Sequence, residues 1–169
     1  MFTAVLSMLL SLVTVSGVSG EQTGAQTDIR VPGDPPRQVS WMSPGPPQMN
    51  VKATIFEQSA WAVEQKLRPI VYVGAKWCEP CERFKDAVKK KRLNRQLSDL
   101  HFIEFDLDIH RDGLQLAGYQ SRMIPLFCLP DNKTGKSSGQ CIQGSVKGPG
   151  AVGNLLPRLK QMLESETPK

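Results

Sequence analysis

Ile70-Val71-Tyr72-Val73-Gly74-Ala75-Lys76-Trp77-Cys78-Glu79-Pro80-Cys81 is the stretch on which the organisation of the chain turns. Its first six residues are apolar and rich in β-branched types, as in a short strand buried in the middle of a sheet. Two cysteines then open a helix, expected over about residues 78–96, with Phe84, Ala87 and Val88 inward and a dense basic face outward. A cysteine at a helix N-terminus meets unpaired backbone N–H groups and the positive end of the helix dipole, both of which favour thiolate over thiol. Its pKa falls, and Cys78 becomes a nucleophile near neutral pH. Cys81 lies one turn along the same face and can attack a mixed disulfide from within, while Pro80 suits a first turn that needs no N–H there. One cysteine attacks and the other resolves.

Upstream, Phe56, Ala60, Val63 and Leu67 describe one apolar helical face ending before Pro69. Downstream, His101 to Ile109 reads as a second strand, with Ile103, Phe105, Leu107 and Ile109 on one face and Glu104, Asp106 and Asp108 on the other. A short helix over Gly113 to Gln120 follows. Strands at Pro125 to Leu129 and Ser138 to Gln143 are joined by a turn built on Pro130, Asp131, Asn132 and Gly135. A final helix over Gly150 to Leu163 puts Val152, Leu155, Leu156, Leu159 and Met162 on one side. Helix–strand alternation closed by a hairpin predicts an α/β fold, a mixed central sheet with helices on both faces.

The N-terminal third differs. Met1 to Gly20 carries no charged side chain and holds an apolar run from Phe2 to Val15, too short for a membrane span of about 20 residues. It reads as a secretory signal peptide with Val18-Ser19-Gly20 at the cleavage site, its weakness being an n-region without Lys or Arg. An uncleaved membrane anchor is the rival reading. Residues 21–49 hold six of the 13 prolines and read as a disordered linker, in which Trp41 is free to dock on the domain or not. The domain proper is expected over 50–164, with a flexible tail over 165–169. The chain of 169 residues carries a formal charge of +5, which permits anionic partners without indicating one. Lys89-Lys90-Lys91-Arg92 and Arg95 lie on a solvent face without interleaved aromatics, so no nucleic-acid partner is expected. His101 and His110 are too far apart to share a hydrolytic site and are read as surface or strand-boundary residues.

Trp77-Cys78-Glu79-Pro80-Cys81 after a strand, Ile124-Pro125 further on and Gly144 beyond a hairpin together resemble the thioredoxin family over roughly Val51 to Leu163. Within it the chain resembles exported thiol:disulfide oxidoreductases, such as the C-terminal domain of thiol:disulfide interchange proteins, more than cytosolic thioredoxin. The resemblance implies a thioredoxin fold, a redox-active Cys78–Cys81 disulfide with no other cofactor, and a cis Pro125 facing Cys78. Trp77, Pro80, Met123, Ile124 and Gly144 would form the substrate surface. Partners would be protein disulfides and a thiol electron donor, met by a monomer outside the cytoplasm, periplasmic or secreted, with membrane contact only through an uncleaved N-terminal segment. The family usually carries a buried Asp where this chain has Tyr72, and Asp106 is the expected substitute proton acceptor for Cys81. Pro80 and the Glu79 carboxylate beside Cys78 point to a reductase or exchange partner rather than a primary oxidant.

Cys128 and Cys141 leave three readings open: a structural disulfide, two separate buried thiols, or a relay to Cys81. A four-thiolate zinc site from all four cysteines is disfavoured, because the second pair has 12 intervening residues rather than a knuckle spacing, and no metal is expected. A fold used for binding without turnover is the remaining alternative to an enzyme.

Overall fold

The computed structural model describes residues 38–165. The signal-peptide and anchor readings, the first part of the linker and the tail beyond Ser165 lie outside the described residues. Five strands and five helices follow one another: β1 (Ser40–Met42), α1 (Val51–Glu64), β2 (Arg68–Gly74), α2 (Glu79–Lys89), α3 (Asn94–Leu97), β3 (Leu100–Asp106), α4 (Leu107–Leu116), β4 (Leu126–Pro130), β5 (Ser137–Gln143) and α5 (Ala151–Glu164). The sheet order is β1-β3-β2-β4-β5. β3 runs parallel to β1 and β2, while β4 pairs antiparallel with β2 and β5.

Alternation along β2 divides the core. Ile70 and Tyr72 face a cluster with Cys81 and Phe84 of α2 and Leu155 and Leu159 of α5, whereas Val71 and Val73 face Val51 and Ile55 of α1 and Leu114 of α4. Helices thus cover both faces of a mixed sheet, the α/β thioredoxin-like fold that was expected.

Five local expectations are corrected. The linker ends earlier than residue 49: Ser40–Met42 pairs with His101, Phe102 and Ile103, and the Trp41 ring stacks on Phe102 at 4.8 Å. The apolar face of α1 is rotated by one residue, roughly 100°. Val51, Ile55, Ser59 and Ala62 are buried, while Phe56 and Val63 are exposed. This helix is apolar on two sides, and the side that carries Val51 and Ile55 is the one that packs on the sheet. The long helix expected after Cys78 stops at Lys89, beyond which Lys91 takes a positive φ of 58°. The second strand stops at Asp106, whose carboxylate caps α4 by accepting from Asp108 N–H at 2.9 Å, so Asp108 and Ile109 are helical. Both histidines are buried rather than at the surface, although His101, second in β3, does lie at a strand boundary.

Candidate functional site

Cys78 is the N-cap of α2, and its sulfur takes the place a cap oxygen usually fills, accepting from Cys81 N–H at 3.3 Å. Pro80 sits in the first turn, where a missing N–H costs nothing. Cys78 and Cys81 are joined as a disulfide with Cα atoms 5.2 Å apart, and both are almost covered. Trp77 is 66% exposed, its indole N–H donating to Asp108 at 2.8 Å, and Met123 is 58% exposed.

The Ile124–Pro125 peptide is cis. Pro125 C=O accepts from Gly144 N–H at 2.9 Å, which brings the two expected substrate-surface loops together. Gly144 has a φ of 65° and lies so close to Met123 that a Cβ there would sit 3.1 Å from the Met123 Cβ, so only glycine suits the position. Arg158 of α5 pins this loop by donating to the carbonyls of Gln143 and Gly144, at 2.8 Å each. Ile124 is partly buried and packs against both core clusters.

Glu79 links the start of α2 to the same region. Its carboxylate is hydrogen-bonded by Arg83 and accepts from Gly148 N–H at 3.1 Å, and those bonds hold it below the usual carboxylate range. The negative charge expected beside Cys78 is present, but it is engaged by a cation and an amide.

Behind Cys81 the arrangement departs from expectation. Tyr72 fills the strand position preceding the motif and donates to Cys81 C=O at 3.4 Å. Burial, and then the nearby Glu104 carboxylate, push its phenol far above its ordinary pKa. Asp106 borders the same cleft, yet its carboxylate is engaged as the α4 cap. The buried acid is instead Glu104, 5% exposed, which lies opposite Tyr72 in the β2–β3 ladder. Glu104 was assigned to a polar strand face, but Leu100 and Phe102 share that face and pack under α2. Their spacing of two was the signal available in the sequence.

Cys128 and Cys141 lie directly opposite each other in the β4–β5 ladder and form a disulfide, Cα atoms 4.2 Å apart. The reading as separate thiols is therefore corrected. The relay is corrected too, and the disfavoured zinc site has no geometry for it: Cys81 and Cys128 belong to clusters on opposite faces of the sheet, and their sulfurs do not converge. Among the described residues no group of three or more His, Cys, Asp or Glu is placed to hold a metal ion.

No family model matches the sequence, and no curated protein matches it. Among solved structures, a thioredoxin from Trichomonas vaginalis is 17% identical, with 76% of this chain and 97% of that chain covered and a TM-score of 0.48. Thioredoxin O1 from Arabidopsis thaliana in its oxidised state is 17% identical over 76% of this chain and 96% of its own, with a TM-score of 0.44. A mutant thioredoxin from Halobacterium salinarum is 16% identical over 72% and 89%, with a TM-score of 0.40. Likeness at these levels adds nothing to what strand order and cysteine placement establish. The chain is a thioredoxin-fold protein with a Cys78–Cys81 disulfide at the start of the helix after its central strand. That geometry is consistent with thiol–disulfide exchange and supports an oxidoreductase function, with the disulfide itself as the redox group.

Proposed function

We propose that the protein is a thiol–disulfide oxidoreductase that acts on protein disulfides outside the cytoplasm, as a reductase or exchange partner. The observation that carries this reading is the Cys78 sulfur held as the N-cap of α2, accepting from the Cys81 N–H, a position that favours thiolate once the disulfide is reduced. Once reduced, Cys78 attacks a substrate disulfide and one substrate thiolate leaves. Cys81 then attacks Cys78 Sγ, the second substrate thiolate leaves, and two electrons have passed to the substrate. The exposed Trp77 and Met123, with the loop at Pro125 and Gly144, offer the apolar surface on which an extended segment would lie. The extracytoplasmic setting is supported by the signal-like Met1 to Gly20 and by the second disulfide, since such bonds persist in oxidising compartments.

Insulin reduction driven by dithiothreitol tests the activity. Cys78→Ser should abolish the catalysed reaction, and Cys81→Ser should accumulate mixed disulfides. Equal rates for wild type and Cys78→Ser would leave a binding module without turnover, a reading favoured by Tyr72 standing where an acid is expected.

A further inference from the structure

Resolution of the mixed disulfide requires the Cys81 thiol to lose its proton, yet Cys81 is only 1% exposed. Tyr72 of β2, which donates to the Cys81 carbonyl, is held protonated and cannot act as a base. Across the ladder from Tyr72 stands Glu104, on the strand face that it shares with the apolar Leu100 and Phe102 and, at the strand's end, with Asp106. Burying a carboxylate there is costly unless it is paired and hydrogen-bonded. Glu104 is both: one oxygen accepts from the Trp41 indole at 2.7 Å, the other from Lys85 Nζ at 2.5 Å. An apolar residue would fill the position at lower cost, so packing does not account for the carboxylate. Glu104, Tyr72 and Cys81 border one cleft of about 810 Å³, which Trp41 of β1 also lines.

We propose that Glu104 is the base of the resolving step, accepting the Cys81 proton across this cleft while Trp41 and Lys85 hold its carboxylate in place. The inference rests on the dithiol reading above. In the mixed disulfide the proton passes from Cys81 Sγ to the Glu104 carboxylate. The Cys81 thiolate attacks Cys78 Sγ, the bond from Cys78 to the substrate sulfur breaks, and that sulfur leaves as a thiolate. The proton on Glu104 then returns through the cleft to solvent or to the departing thiolate. The other ionisable groups around the cleft are Glu82, Asp86 and Lys89 of α2, Lys76 of the preceding turn, Tyr72 of β2 and Asp106 at the end of β3. Asp86 is paired with Lys90 and Arg92, and Asp106 caps α4, so Lys85 is the cation bonded to Glu104.

The test uses the full, reduced chain and an aromatic disulfide probe whose two coloured thiolates leave in sequence, the first on attack by Cys78 and the second on resolution by Cys81. Both phases are followed by stopped flow as pH is varied. In Glu104→Gln the first phase should be unchanged. The second should slow about 10²-fold near neutral pH and recover as pH rises towards the thiol's own pKa. A second phase that is unaltered, or slowed equally at every pH, would overturn the proposal. Should Glu104→Gln fail to fold, Lys85→Met decides: it removes the bond that holds the carboxylate in place, so the second phase alone should change in its rate and pH profile, and a second phase identical to wild type at every pH overturns the proposal. A wild type lacking the first phase would overturn the dithiol reading and this one with it, whereas an intact first phase separates the two.

Discussion

Cys78 is both a helix cap and a nucleophile, and the two roles share one cause: a helix start presents N–H groups that any electron-rich atom can accept. Glu79 acts against that preference. Its ionised carboxylate disfavours a thiolate next door, although Arg83 and Gly148 N–H take up part of its field. Glu79→Gln should therefore stabilise the Cys78 thiolate, and with it the reduced form. The reduction potential should rise, by less than about 30 mV because the charge is exposed and screened. Equilibration with glutathione buffers measures this, and a fall in potential would count against the assignment. The cysteines and Pro80 could be placed from spacing alone, since cap and resolving roles are local. Glu104 could not, because its partners Trp41 and Lys85 lie 63 and 19 residues away in sequence.

At the scale of elements, β1 shows how a proline-rich segment can end inside the fold. Trp41 packs with Tyr72 and Phe102, and Ser40 Oγ is hydrogen-bonded to His101 Nδ1 at 2.8 Å. Gln58 of α1 meets the other His101 nitrogen at 3.2 Å, so one imidazole ties β1, β3 and α1. Burial lowers the His101 pKa below its ordinary 6.5. As pH falls, the unfolded chain takes up a proton before the folded one, so this contribution to stability is full above 6.5 and is lost as pH drops from there towards the lower value in the fold. The urea midpoint should decline over that window in the wild type and less steeply in His101→Gln; parallel declines would refute the link. From α1 onward the order of the elements, α3 aside, was readable because strands and helices carry different periodicities. The face of α1 was not, because periodicity sets the spacing of a stripe while the sheet selects which stripe is covered.

Over the whole molecule, the sheet separates the two disulfides chemically. Cys78–Cys81 lies on the side of α2 and α5, whereas Cys128 is buried under α1 and α4. The second bridge closes a short loop, with partners 13 residues apart, and joins the sheet's edge strand β5 to β4. Replacing both, Cys128→Ala with Cys141→Ser, should cost about 3 kcal/mol of stability. Denaturant unfolding measures the loss, and both phases of the probe reaction should keep their wild-type rates. A slowed reaction in that variant would mean that the sheet transmits the change to the other face.

What could be known from the order of residues was whatever depends on near neighbours: a buried strand, a nucleophile at a helix start, a resolving cysteine one turn on, a hairpin. Such features arise from backbone geometry repeated over a few residues, and composition exposes them directly. Pairing across the sheet is different. That Cys128 meets Cys141, that Trp41 closes over Glu104, and that Asp106 caps a helix while Glu104 holds the buried charge all follow from strand register and layer packing. Those are set by the sum of many distant contacts, and a shift of one residue would send every side chain to the other face.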